Sequence, residues 1–208
     1  MTDRSYNQYC GLARALDLVG ERWALLVVRE LLLGPKRFTD LRHGLPGIGT
    51  NVLSSRLQEL ERDGIVARRE LPPPAASTVY ELTEHGRALE SAVLALGRWG
   101  ASTLGPRSPQ QTLRSEWVAV ALRAFFRPAA ADGLRAAVEL RLSDGTYHAR
   151  VEDGRADVAP GGVENPDLVV TTDEDSLVGF LAGFAPAPQA EGDLDLLARL
   201  PDVFGFRV

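Results

Sequence analysis

Nine polar side chains in the first third of the chain have the types and spacing to engage a nucleic-acid duplex: Lys36, Arg37, Thr50, Asn51, Ser54, Ser55, Arg56, Arg68 and Arg69. An Asn amide donates and accepts at once, matching the adenine edge in the major groove, and Ser or Thr hydroxyls reach bases or phosphates. Asn51 is therefore the candidate base reader, with Thr50, Ser54 and Ser55 beside it. Lys36, Arg37, Arg68 and Arg69 suit phosphate oxygens, which position a protein on DNA without reading its sequence. Arg56 flanks a leucine seam, so a phosphate contact or an internal ion pair fits it better than base reading. For any single basic residue the competing reading is an ordinary solvated charge.

Catalysis requires other constellations. The chain contains no HExxH, CxxC or Gly-x-Ser-x-Gly. His43, His85 and His148 lie in different elements, without metal-like spacing to one another or to Cys10. Gly44, Gly47 and Gly49 imitate a phosphate-binding loop, but such a loop follows a strand, and an amphipathic helix precedes this one. Asp173, Glu174 and Asp175 suit a solvated helix start better than a metal. The sequence reads as a non-enzyme with no catalytic residue, metal or cofactor.

The elements that must carry the nine side chains are legible from periodicity. In GTNVLSSRLQELERDGIV, Leu53, Leu57 and Leu60 fall on one helical face, and Asn51, Ser54, Ser55, Gln58 and Arg62 fall opposite. Thr50 is placed to cap this helix, and Asp63-Gly64 to stop it. Ahead of it, Phe38, Leu41 and Leu45 mark a shorter helix, and Gly44-Leu-Pro-Gly47 forces a turn between the two. Two helices joined in this way make a helix-turn-helix, whose second helix enters the major groove. IVARRE and TVYELT then read as two strands around the proline-stiffened loop LPPPAAS. That hairpin is the wing of a winged helix.

The stretch from CGLARALDLVGERWALLVVRELLLGPKRFTDLRHGLPGIGTNVLSSRLQELERDGIVARR to VYELTEHGRAL resembles the HxlR-type winged-helix transcription regulators. The resemblance rests on a Cys before the first helix, Gly-x-x-Trp opening the second, Leu-Leu-x-Gly-x-x-Arg-Phe, and Leu-Ser-x-Arg-Leu in the recognition helix. It implies a dimer that binds a double-stranded operator and controls transcription, most simply as a repressor. Some relatives sense oxidants through a Cys at the position of Cys10, which makes Cys10 a candidate redox sensor. Many carry Cys-Pro there, whereas Cys10 is followed by Gly11. The plain alternative is a small apolar side chain buried under the first helix. Reactivity needs exposure and a lowered pKa, to which Arg14 could contribute.

The formal charge of -5 over 208 residues argues against a nucleic-acid binder until it is divided. Residues 1–112 hold 14 Lys/Arg and 12 Asp/Glu, a net of +2, and residues 113–208 hold 9 and 16, a net of -7. Between Lys36 and Arg69 there are 7 basic and 4 acidic residues. This modest surplus places the expected affinity on dimeric binding and a few well-set cations. No run approaches the ~20 apolar residues that cross a bilayer, and MTDRSYNQY lacks the apolar core of a signal peptide. A single Cys excludes an internal disulfide framework. The expected location is the cytoplasm, away from any membrane.

Around the motif, Leu12, Leu16 and Val19 form the stripe of a first helix ending at Gly20. The second, about Glu21 to Leu33, is apolar nearly all round and should be buried. After the wing, Thr83 caps a helix running to about Ala101, with His85, Leu89, Ala92, Val93 and Leu96 on one face and Ala88, Ala95 and Trp99 beside them. So wide a stripe at the end of a small domain fits either packing within the chain or, as the better reading, burial shared with a second subunit, to which the first helix and its preceding arm also contribute.

The chain thus divides into a DNA-binding and dimerisation domain (1–103), a Pro/Ser/Gly/Gln linker (104–112) and a second domain (113–208). In the second, Leu113 to Phe126 reads as a helix, AAVELRLS, TYHARVE and RADVAP as strands joined at Asp144-Gly145 and Asp153-Gly154, and DLVVTT as a fourth strand. DEDSLVGFLAGF and EGDLDLLARLPDVF are helices. Asn165-Pro-Asp167, LVVTT with its following helix, and Ala190-Glu-Gly-Asp193 resemble the sterol-carrier-protein-type fold. That resemblance implies an α+β domain enclosing an apolar tunnel. Trp117, Phe125, Phe126, Leu177, Phe180, Leu181 and Phe184 would line it and bind an apolar small-molecule effector, or simply fill a core. The whole is an α+β protein, a winged helix followed by a small sterol-carrier-like domain. The rival reading is a small-molecule or lipid carrier whose winged helix serves for assembly.

Overall fold

The computed structural model describes residues 5–73 and 76–206. The chain forms two compact units, Met1–Val93 and Leu94–Val208. The first contains α1 (Gly11–Val19), α2 (Ala24–Leu31), α3 (Phe38–Gly44), α4 (Thr50–Arg62), the hairpin β1 (Val66–Glu70) and β2 (Thr78–Leu82), and α5 (Glu84–Arg87). Helix α6 (Glu90–Ala101) runs from the first unit into the second.

The core of the first unit is the apolar face of α4 against α2. Leu53, Leu57 and Leu60 seat among Val27, Val28, Leu31, Leu41 and Leu45, all buried. At the end of α4 the chain reverses at Gly64, where φ is +68° and no Cβ opposes the left-handed turn. The Gly64 N–H donates to the Glu61 carbonyl at 3.1 Å and the Ile65 N–H to the Leu60 carbonyl at 2.9 Å. Both bonds satisfy carbonyls that a helix end leaves open, and buried Ile65 joins Leu60 in the core. The wing is antiparallel, with Arg68 opposite Tyr80 and Arg69 opposite Val79. Lys36 adds a one-residue third strand: its N–H donates to the Tyr80 carbonyl at 2.9 Å, and the Tyr80 N–H donates to its carbonyl at 2.7 Å. Within the proline loop, Pro74 and Ala75 lie outside the described residues.

Several local expectations are corrected. Gly49, in extended conformation, is the N-cap of α4; Thr50 is the first helical residue and makes no capping bond. Trp23 takes a left-handed φ of +79°, so α2 begins at Ala24 instead of Glu21, and Leu26 is exposed. Thr83 does cap a helix, its Oγ1 accepting from the Gly86 N–H at 3.0 Å. The helix breaks, however, where Leu89 bonds back only three residues, to the Gly86 carbonyl, which separates α5 from α6. Leu12 of α1 is 70% exposed and Leu16 is also exposed, while Ala13 and Val19 face the core.

The second unit comprises α7 (Ser115–Phe125), a 3-10 turn at Pro128–Ala131, β3 (Ala136–Leu142), β4 (Gly145–Glu152), β5 (Arg155–Pro160), β6 (Leu168–Thr171), α8 (Glu174–Ala182), β7 (Gln189–Gly192) and α9 (Leu194–Val203). The expected α+β composition is present, and β3, β4 and β5 make the expected meander. Asp153 and Gly154 form a two-residue turn with φ of +51° and +68°, as the hairpin signal predicts. The other turn shifts by one residue, to Ser143-Asp144, because Leu142 pairs with Gly145. Strand β6 leaves the meander and lies parallel to β3, giving the order β5-β4-β3-β6-β7. Strand β7, absent from the sequence reading, pairs antiparallel with β6. Its QAEG sequence has none of the β-branched or aromatic residues that mark strands. Alternate residues, among them Val138, Leu140, Ala149, Val158, Leu168 and Val170, are buried on one face of the sheet. Among the described residues no helix is long and apolar enough to cross a membrane.

Candidate nucleic-acid interface

Because the leucine face of α4 is fully seated, its opposite face is held outward. Thr50, Asn51, Gln58 and Arg62 are exposed and Ser54 is half-buried. Gly49 offers no side chain to the first backbone N–H groups of α4. Such uncapped N–H groups, at the positive end of the helix dipole, suit a phosphate oxygen. Val52, 44% exposed, stands beside Asn51 and could meet a thymine methyl. The sequence places Gln58 on this polar face without giving it a contact, and does not single out Val52, an apolar residue among polar ones. Gln58 lies two helical turns after Asn51, on the same face.

The predicted cations separate into two groups. Arg37 caps α3 with its side chain exposed, while its N–H donates to Asp40 Oδ2 at 3.1 Å. Arg68 on β1 is also exposed. These two remain turned to solvent. Arg69 is bidentate on Glu81 across the hairpin, at 3.1 and 3.0 Å, so much of its charge is answered within the wing. Lys36 turns into the domain. Its side chain is 11% exposed and its Nζ donates to buried Glu30 at 2.8 Å. Arg56 takes the internal alternative, bound to Glu59 and reaching Glu21 at 3.5 Å. Ser55 joins the same cluster by donating to Glu59 at 3.2 Å. Arg42 and His43, in the last turn of α3, are exposed and were not singled out from the sequence.

Cys10 is exposed at the start of α1, not tucked beneath it. The backbone N–H groups of Ala13 and then Leu12 stabilise its thiolate and hold its pKa below the ordinary thiol value. That effect comes from the helix start and not from the Arg14 charge.

Of the seven residues proposed for an apolar pocket, Leu177 and Leu181 border one small void together. Leu177, Phe180 and Leu181 are buried in the core of the second unit. Phe125 packs edge-on against Phe206 at 4.9 Å and Phe126 against Phe204 at 5.6 Å, while Trp117 is half-buried on α7. Phe184 follows the α8 cap and is 91% exposed. The void near Leu177 and Leu181 is about 10 Å³, walled also by Leu122, Leu140 and Phe204. Pockets for small organic ligands run to roughly 300 Å³ or more, so such a ligand would have to displace this core.

The sequence profile of the HxlR-like helix-turn-helix family matches residues 18–108. The uncharacterized HTH-type transcriptional regulator YvaP of Bacillus subtilis is 36% identical over 93 residues, covering 45% of this chain and 86% of YvaP. The HTH-type transcriptional regulator YodB of Bacillus subtilis is 39% identical over 85 residues, covering 41% of this chain and 76% of YodB. The solved redox regulator HypR in its oxidized form shares 36% identity, covering 46% of this chain and 99% of that one, with a TM-score of 0.44.

Proposed function

The chain belongs to the HxlR-like helix-turn-helix family, and on that premise we propose that it is a DNA-binding transcriptional regulator acting as a homodimer on a pseudo-palindromic operator. One observation carries this reading: α4 is anchored by three buried leucines while Thr50, Asn51 and Gln58 are exposed on the other side. In a dimer, two such helices would enter successive major grooves roughly 34 Å apart. Asn51 reads base edges. Arg37, Arg68 and the N-terminus of α4 hold phosphates.

The dimer has support in exposed apolar side chains. Every residue of α6 keeps some exposure, with Trp99 at 73% and Leu96 at 49%, although the helix is rich in Ala, Val and Leu. Tyr6, Tyr9, Leu12 and Leu16 are exposed on and before α1. Such surface favours a partner over water. Repression is the simplest consequence, since a dimer seated on promoter DNA excludes polymerase. It would act in the cytoplasm, where its operator lies. The rival carrier reading has the filled core of the second unit against it.

The test enriches duplexes from a random-sequence pool with the whole chain, then measures affinity against salt. The expected result is a two-fold symmetric site, bound far more tightly than unrelated DNA. Equal affinity for all sequences would remove the regulator reading.

A further inference from the structure

Glu30 is a buried carboxylate of the first unit, its side chain fully covered. Its Oε1 accepts from Arg29 Nε at 3.2 Å and Nη2 at 2.7 Å, and its Oε2 accepts from Lys36 Nζ at 2.8 Å. The same Oε2 lies against Gly44, where an added Cβ would come within 2.2 Å of it. A single carboxylate therefore meets α2, the segment leading into α3, and the last residue of α3 before the turn to α4. The leucine seam cannot supply this precision, because apolar burial is non-directional. A buried carboxylate tolerates only arrangements that satisfy its oxygens, and charge-assisted hydrogen bonds add a defined geometry.

We propose that Glu30 is a positioning residue for the recognition helix: clamped by Lys36 and Arg29, it sets the placement of α3 and its turn, and through them the angle at which α4 meets DNA. The inference rests on the DNA-binding reading above. It makes Lys36 part of the scaffold and not of the phosphate contacts. A side chain at position 44 would force the carboxylate to move from this place.

The probe is a duplex enriched by the unmodified chain from a random-sequence pool, set against an unrelated duplex of equal length. Lys36→Met and Glu30→Gln, checked for folding by circular dichroism, should each lose about tenfold or more of the ratio between the two affinities. For Lys36→Met the slope of log affinity against log salt should stay that of the unmodified chain, and Lys36→Arg should recover most of the ratio. If Glu30→Gln melts below the assay temperature, the double variant Glu30→Met/Lys36→Met removes both buried charges together and should show the same loss. Folded variants that keep the ratio overturn the proposal. So does a slope lowered by about 0.9 in Lys36→Met, the mark of a lost phosphate contact. An unmodified chain that enriches no sequence overturns the DNA-binding reading, and this inference with it.

Discussion

Arg56, midway along α4, reaches Glu21 in the turn between α1 and α2 across 3.5 Å, while its other terminal nitrogen holds Glu59 on its own helix. The side chain is only 11% exposed. Of the two roles open to this cation, a phosphate contact or an internal ion pair, the fold provides the second, tying α4 to the turn between α1 and α2. Arg37 and Arg68, by contrast, keep their side chains exposed.

That division predicts different salt dependences. Arg37→Ala and Arg68→Ala should each lower the slope of log affinity against log salt by about 0.9 and weaken all sequences alike. Arg56→Met should leave the slope unchanged. Fluorescence anisotropy over a salt series measures it, and a reduced slope for Arg56→Met would return that residue to the phosphate contacts.

Asn51→Ala should cost about 1–3 kcal/mol on the enriched site and little on random DNA, because a bidentate amide discriminates between bases. Equal losses on both duplexes would show that the residue does not read sequence.

Leu96→Glu with Trp99→Glu should shift the protein to monomer in sedimentation velocity and weaken operator binding, leaving the helical content intact. Charges placed on a helix that is exposed already cost the monomer little. A double variant that sediments as the unmodified protein would show that α6 is not a subunit interface.

Cys10 should alkylate with iodoacetamide faster at neutral pH than the same residue in urea. Its pKa is held down by the helix N–H groups of Ala13 and Leu12, so more thiolate is present when folded. Coincident pH profiles for folded and unfolded chain would contradict this.

Asp173 caps α8 by accepting from the Ser176 N–H at 2.8 Å, and that bond, then the Ser176 hydroxyl, depresses its carboxyl pKa. A depressed carboxyl stabilises the fold above its unfolded pKa and loses that contribution as pH falls through the folded value. Asp173→Ala should therefore cost about 1 kcal/mol at neutral pH and less in acid. A cost that is the same at both pH values would contradict the capping assignment.

Where structure depends on near neighbours, the chain could be read directly. The leucine spacing of α4, the stop at Asp63-Gly64, the wing and the Asp153-Gly154 turn all depend on periods of two or 3.6 residues and on glycine's freedom at positive φ. Family membership is visible at the same level, because its motifs lie along one continuous stretch.

The partners of long side chains were settled only by the tertiary structure. Arg56 and Glu21 are 35 residues apart, and no local pattern indicates that a guanidinium will find that carboxylate instead of a phosphate. Lys36 and Glu30 are close in sequence, yet their pairing depends on the two-way bridge between Lys36 and Tyr80 that holds the lysine over α2. The parallel union of β6 with β3 is likewise non-local. So is the fate of the aromatic residues around α7, since composition alone cannot tell a filled core from a hollow one. Local sequence chose the elements because backbone sterics and burial periodicity act over a few residues. Packing chose which charges remained outside, because a flexible cation goes to whichever carboxylate the fold brings within reach and shields from water.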